Sequence, residues 1–204
     1  MSDAAFFGMV PQALWEANFG NYAAARRLAS EAMAIDDEKN VKAAAGLALA
    51  RSGDFIQASK LADDLAAENP SDTLIKRRTV PMIRAAIAIG KNHPAQAVEL
   101  LQDVESTELG DPQVIYTRGQ AFLSMHSGPQ AAAEFHKLID HPYVLIEDPL
   151  GSLAHVGKAR ALVLSGDMQN ARAEYETFLN LWKDADLDVP IYQQAKAEYA
   201  KLLR

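Results

Sequence analysis

Three short phrases with one shared pattern recur along this chain of 204 residues. Each has a glycine, then Asn or Asp, then a large apolar residue that is followed three positions later by Ala; the phrases span 20–25, 53–58 and 166–171. Glycine ends a helix readily because it adopts the left-handed backbone conformation at low cost. Asn or Asp can cap the next helix by accepting a hydrogen bond from a free backbone N–H. Each phrase therefore predicts a tight corner between two consecutive helices.

The first two corners lie about 33 residues apart, close to the period of about 34 residues of a helical-hairpin repeat. Small residues, one leucine and a closing proline surround the second corner at fixed offsets: Gly46, Leu49, Ala58, Ala62 and Pro70. A similar set surrounds Ser127-Gly128: Gly119, Ala121, Phe122, Ala131, Phe135 and Pro142. Both sets resemble the tetratricopeptide pattern, in which Gly and Ala let helix axes approach to about 8–10 Å.

This resemblance implies an all-α fold, a right-handed solenoid of about five tetratricopeptide-like (TPR-like) helical hairpins with a C-terminal capping helix. We expect a single domain over 1–204, with repeats at 5–37, 39–71, 72–107, 112–142 and 149–184 and a capping helix at 188–203. Pro81 interrupts the first helix of the third repeat, which predicts a kink or a late helix start. The connection 140–150 is expected to pack as an ordered extended segment because its run 143–146 is apolar.

The composition disfavours several classes of partner. The formal net charge of −7 disfavours nucleic acid, since binding to phosphates relies on Lys and Arg displacing counterions. Without cysteine the chain has no disulfide framework, thiolate metal site or cysteine nucleophile. The longest apolar runs, such as 43–50, are far shorter than a membrane helix, so we expect no membrane insertion by this chain. These features leave the bacterial compartment open, cytoplasmic or extracytoplasmic.

The sequence offers little for catalysis or cofactor binding. It contains no glycine-rich phosphate loop, nucleophile elbow or His-Glu-x-x-His metal helix. His136 and His141 are five positions apart and would not share a helix face as metal ligands do. The acidic run 184–188 departs from a calcium loop because Val189 and Ala195 occupy the sixth and twelfth positions; capping of the following helix is the favoured role. We therefore expect no catalytic, cofactor-binding or metal-binding residues.

Four segments of the C-terminal third support a narrower resemblance: 135–148, 148–160, 181–186 and 195–202. They resemble the repeat-containing tail of bacterial receptor-like serine/threonine kinases, or of winged-helix transcriptional regulators with a similar layout. The resemblance implies that this chain is the repeat portion of such a signalling protein. The kinase itself is expected to lie elsewhere, because the chain lacks the His-Arg-Asp, Asp-Phe-Gly and glycine-rich signatures.

The function predicted from these features is protein or peptide binding in a concave groove, as a sensory or scaffolding part of a signalling protein. Grooves of this family are lined by outward positions of the first helices, which here map onto Asn18, Leu47, Arg51, Tyr116, Gln120, Arg160 and Leu164. An envelope assembly or chaperone-type adaptor is a second hypothesis. A third, an all-helical enzyme, would need convergent titratable groups, and the mapped positions offer Arg with no acidic or His partner.

A cluster of basic residues forms a separate candidate surface on or beside the first helix of the third repeat: Lys76, Arg77, Arg78 and Arg84. It could receive an acidic peptide. The alternative is an ordinary solvated face, which is the usual role of a run of like charges.

Apolar residues crowd the N-terminal edge: Phe6, Phe7, Val10, Leu14 and Trp15. Because a terminal repeat normally has a polar outer face, we expect the chain to self-associate through this edge. Light scattering or sedimentation at high concentration should show association that Phe7→Glu and Trp15→Glu both reduce. A wild-type monomer that neither substitution changes would refute this prediction.

Overall fold

The structure, a computed structural model, describes residues 8–102, 104, 111–141 and 148–204. Within these residues the chain forms eleven α-helices and no strand. The helices belong to two compact units, Met1–Asp103 and Val104–Arg204. No helix in the described part of the chain combines the length and apolar character needed to cross a membrane.

The first unit contains three consecutive helical hairpins. Its helices are α1 (Val10–Phe19), α2 (Tyr22–Ile35), α3 (Lys39–Arg51), α4 (Phe55–Glu68), α5 (Val80–Gly90) and α6 (Pro94–Gln102). Each odd-numbered helix packs against the even-numbered helix that follows it, and α3 also packs against both α1 and α5. The first helices of successive hairpins therefore lie side by side, as in a helical-repeat protein.

The second unit contains two hairpins and a final helix. Its helices are α7 (Pro112–Ser124), α8 (Gly128–Asp140), α9 (Leu150–Leu164), α10 (Met168–Leu181) and α11 (Pro190–Leu202). Helix α9 packs against α7, α8 and α10, and α11 packs against α10. The same arrangement of neighbouring first helices thus recurs in α7 and α9.

All five hairpin corners have the same backbone structure. At each one, a left-handed residue ends the first helix: Gly20 (φ 91°), Gly53 (φ 87°), Asn92 (φ 63°), His126 (φ 56°) and Gly166 (φ 79°). The N–H of the next residue donates to the carbonyl five positions back, over 2.8 to 3.0 Å, as in Asp54 to Leu49 and Ser127 to Phe122. This is the Schellman arrangement that satisfies carbonyls at a helix end. The corners predicted at the three glycines are confirmed.

The predicted side-chain caps are confirmed at two of the three glycine corners. Asp54 accepts a hydrogen bond from the N–H of Gln57, and Asp167 accepts one from the N–H of Asn170, both over 3.2 Å. The prediction is wrong for Asn21, whose side chain makes no capping bond. Its Nδ2 instead donates to Oε2 of Glu16 over 2.7 Å, so the amide is held by the preceding helix.

One further local prediction is confirmed and another is wrong. At Pro81 the regular α-helix begins late, at Val80, and Ile75–Thr79 form a π-helical turn that leads directly into it. Proline has no N–H for the regular ladder, and the wider turn ahead of it absorbs this irregularity. Before Pro190, the N-terminal cap is Val189 with no side-chain hydrogen bond, so the acidic run does not cap α11.

The ring of Phe135 fits in the core of the second unit because Gly119 and Gly157 lie against it. The side chain of Phe135 is fully buried, and a Cβ atom added to Gly119 or Gly157 would lie 2.8 or 2.5 Å from its ring carbons. These distances are shorter than van der Waals contact, so α7 and α9 can pack against the ring only because both positions lack a side chain. The close approach predicted for the small repeat residues is therefore present here.

The N-terminal edge is less exposed than its sequence predicts. Val10 and Leu14 are buried in the first unit, and Trp15 is half-buried. Val10 packs in a small core cluster with Ala32 and Val41. Phe6 and Phe7, like the apolar run 143–146, lie outside the described residues, so self-association and the packing of that run remain predictions.

The corners predict a matched pair of stability changes in the first unit. Gly53→Ala should destabilise by about 1–2 kcal/mol through backbone strain alone, because a Cβ there would meet no atom within 4 Å. Asn92→Gly removes a left-handed non-glycine residue and should lose no stability. Urea denaturation followed by circular dichroism gives both midpoints. An unchanged midpoint for Gly53→Ala would contradict the assigned corner.

Candidate functional site

A pocket of about 400 Å³ opens in the second unit among helices α7, α9, α10 and α11. Its volume falls within the range of about 300–1,000 Å³ found for ligand pockets. Aliphatic side chains form most of its wall: Leu123, Val163, Leu164 and Leu202. They come from three helices, so the wall is made by the packing of consecutive elements rather than by a loop.

The floor of the pocket is a partly buried hydrogen-bonded network. Arg160 on α9 donates from Nε to Oε2 of Glu198 over 2.9 Å and from Nη2 to Oε1 over 3.1 Å. The hydroxyl of Tyr175 on α10 donates to Oε2 of the same carboxylate over 2.8 Å. Both carboxylate oxygens are therefore used, and the network ties α9, α10 and α11 together.

The environment favours the charged form of Arg160 and the neutral form of Tyr175. Burial lowers the pKa of Arg160, but its hydrogen bonds and attraction to Glu198 outweigh that effect and leave the pKa raised. Burial, together with the Glu198 carboxylate, raises the pKa of the Tyr175 hydroxyl well above its usual range. At neutral pH the floor is a closed ion pair with a neutral phenol bound to it.

Helical periodicity explains why α11 presents Glu198 to the pocket. Ile191 and Ala195 are buried and lie four positions apart, which defines the face of α11 that packs on the unit. Glu198 follows three positions later and falls on that face. The helix is thus anchored by apolar contacts that carry the carboxylate inward.

Two basic side chains stand at the rim of the pocket. His126 lies at the corner between α7 and α8, and Lys201 lies on the last turn of α11. Both are exposed, and neither has a hydrogen-bond or ion-pair partner among the residues that the structure describes. Among the described residues, no carboxylate therefore balances the charge of Lys201.

Six of the seven predicted groove residues divide into three groups. Arg160 and Leu164 line the pocket. In the first unit, Arg51 donates from Nη1 to Oδ1 of Asn18 over 2.9 Å, so these half-buried residues bind each other. Two more are buried and offer no open side-chain surface, Leu47 at 2% exposure and Tyr116 at 6%.

The remaining member, Gln120, is half-buried on α7 and is not among the pocket residues. Tyr116 on the same helix packs its ring edge-on to that of Phe135, with centroids 5.8 Å apart. It therefore belongs to the core of the second unit.

The basic cluster is spread over the π-helical turn and α5. Lys76 and Arg77 are exposed and Arg78 is half-buried. Nη2 of Arg84 lies 2.8 Å from Oδ1 of Asp63, and both side chains are largely exposed. Such an exposed pair contributes little to stability, but it partly neutralises the cluster.

The mapped groove positions offer Arg160 no acidic partner, and its partner comes from outside them, from Glu198 on α11. Sequence reasoning missed Glu198, Lys201 and Tyr175 as pocket residues. The sequence feature that could have identified them is the capping helix α11. It follows α10 in the chain, at the position of the first helix of a further hairpin. Aligning α11 with the first helices would have placed its polar residues beside Arg160.

Histidines and carboxylates elsewhere show no metal site. His136 lies 3.2 Å from Asp140, and Nδ1 of His141 lies 2.9 Å from the carbonyl of Lys137, so the two rings have separate partners. In the described residues, no group of three or more His, Asp or Glu side chains could hold a metal ion.

The fold is that of a tetratricopeptide-repeat protein. The chain superimposes on a crystal structure of a thermophilic TPR protein from Thermus thermophilus with a TM-score of 0.65 and 17% sequence identity. The match covers 100% of this chain and 99% of that chain. At this identity the similarity shows the fold alone, and it confirms the predicted all-helical, TPR-like class. No protein-family model and no curated protein matches the chain.

Glu174 joins α10 to α9 beside the pocket. Its Oε2 lies 2.6 Å from Nδ1 of His155 and its Oε1 lies 2.8 Å from Nζ of Lys158. Burial raises the pKa of this carboxyl, but the hydrogen bonds from His155 and Lys158 outweigh burial and lower the pKa overall. The ionised form is therefore favoured by the folded state.

This lowered pKa predicts an acid-sensitive contribution to stability. The contribution is fully present above the ordinary glutamate pKa of about 4.3 and is lost as the pH falls through the lower folded value. Glu174→Gln should destabilise the protein at pH 7 by about 1 kcal/mol and flatten the fall in stability below about pH 4.3.

Glu31→Gln is the matched control, because Glu31 forms only an exposed pair with Arg27 one helical turn away. It should leave the acid limb of the profile nearly unchanged. Thermal melts between pH 7 and pH 3 measure both effects, and an equal response of the two variants would contradict the role of Glu174.

Proposed function

We propose that this protein binds a short segment of a partner protein in the pocket of the second unit and performs no catalysis. The observation that carries the proposal is an open aliphatic pocket framed by α7, α9 and α11, with a lysine at its rim that has no ion-pair partner in the described part of the chain. Rigid helices hold the pocket in place, so a ligand would order few protein groups on binding.

The energetics favour a ligand with an apolar side chain. Transfer of a large aliphatic side chain from water into such a pocket contributes about 1.5–3 kcal/mol. The floor adds little attraction, because Arg160 and Glu198 already satisfy each other. Affinity would come from apolar contact, with polar groups at the rim adding specificity.

A catalytic role has less support from the geometry. The Glu198 carboxylate accepts three hydrogen bonds from Arg160 and Tyr175, so it is poorly placed to remove a proton from a substrate. The raised pKa of Tyr175 keeps its proton on the phenol. Both groups serve to join helices.

For the cellular context, we propose a sensory or scaffolding region of a bacterial serine/threonine kinase or winged-helix regulator. The resemblance of 135–202 to such tails supports this proposal. A reading frame that encodes a kinase or a DNA-binding domain together with this chain would support it. A frame shared instead with envelope-assembly or chaperone proteins would favour the adaptor hypothesis.

Selection from a displayed library of random peptides tests the binding function. We expect selection on the wild-type protein to enrich peptides that bind in the pocket. Leu164→Asp should weaken the binding of these peptides about tenfold or more, because it places a charge in the pocket wall. Leu181→Asp is the matched control, because Leu181 is also exposed in the second unit and is absent from the pocket. Peptides that respond equally to both variants, or no enrichment at all, would refute the proposal.

A further inference from the structure

We propose that the ligand of this pocket is a peptide segment with a large aliphatic side chain close to a single acidic residue. This inference rests on the proposed function. The aliphatic group would occupy the pocket, and the carboxylate would lie at the rim against Nζ of Lys201.

The side chains of the pocket wall favour an aliphatic group in the ligand. Leucine and valine side chains form it, and the one aromatic ring that reaches it belongs to Tyr175, whose hydroxyl is bound to Glu198. A basic or amide-bearing side chain would lose its hydration there and find little to replace it, because Glu198 already accepts three hydrogen bonds from Arg160 and Tyr175. Aliphatic side chains have no such penalty.

The balance of charge selects the acidic residue. The charged and titratable groups that line the pocket are His126 from the α7 corner, Arg160 from α9, Tyr175 from α10, and Glu198 and Lys201 from α11. Arg160 and Glu198 form a closed pair, so the negative charge of Glu198 is neutralised at the floor. Of the described groups at the pocket, the one whose charge stays uncompensated is Lys201, and that charge is positive.

The rest of the protein limits how acidic the ligand can be. The formal net charge is −7, so a strongly acidic segment would be repelled as it approaches. Screening confines the attraction of Lys201 to about 8 Å at physiological ionic strength. One carboxylate next to the aliphatic anchor therefore fits better than an acidic run.

The peptides selected on the wild-type protein give the first test. We expect the Leu164-dependent peptides to share Leu, Ile, Val or Met within a few positions of one Asp or Glu. A synthetic peptide with the shared sequence is then measured by fluorescence anisotropy, beside one version with its acid changed to Lys and one with its aliphatic residue changed to Ser.

A charge reversal on α11 gives the second test. Lys201→Glu should weaken the acidic peptide about tenfold and should improve binding of the version with Lys. Lys196→Glu makes the same change on an exposed lysine of the same helix that is absent from this pocket, and it should change either affinity less than about twofold.

The possible outcomes separate this inference from the proposed function. Leu164-dependent peptides that are basic, aromatic or without an acid would overturn the inference and leave the binding function standing. Equal effects of Lys201→Glu and Lys196→Glu would also overturn it, since the attraction would then be general. Absence of any Leu164-dependent peptide would overturn both. Sedimentation showing a dimer that Leu164→Asp dissociates would also overturn both, because a second copy of the chain would then occupy the pocket.

Discussion

Each of the five hairpins in the described residues depends on a corner at which the chain reverses direction over very few residues. A helix with one apolar face can bury that face only if the chain returns beside it. In all five corners one left-handed residue permits the return, and one hydrogen bond to the carbonyl five positions back closes it. The corners decide which helices are neighbours. In the second unit they pair α7 with α8 and α9 with α10, and the packing of α9 against α7 then brings two sides of the pocket together.

The corners also show how far the sequence could predict the fold. Gly53 and Gly166 identify their turns because glycine is the residue that most readily takes positive φ. Asn92 and His126 take the same conformation, but their identity alone does not reveal it, because both residues are common in ordinary conformations. Asn21 failed as a cap for a different reason: its amide binds Glu16, a choice between two local partners that only coordinates resolve.

The pocket was predictable only in part. The repeat pattern gives the face of each first helix, which is how Arg160 and Leu164 were identified. The repeat pattern does not give the depth of burial of each residue. It therefore places Leu47 and Tyr116 on the groove surface, although both are buried. Glu198 and Lys201 depend on how α11 docks against α10. The spacing of Ile191 and Ala195 gives the face of α11 that packs inward, but it does not give the side chains of α9 and α10 that this face meets.

The contact of Phe135 with Gly119 and Gly157 links three positions far apart in the sequence. A Cβ atom at either glycine would overlap the ring, so neither can gain even one methyl group while the ring keeps its place. A smaller residue at position 135 would in turn open a gap between α7 and α9. Substitutions at these three positions are therefore coupled. In related chains the size of residue 135 should vary inversely with the sizes of residues 119 and 157. We expect the three positions to change together or not at all.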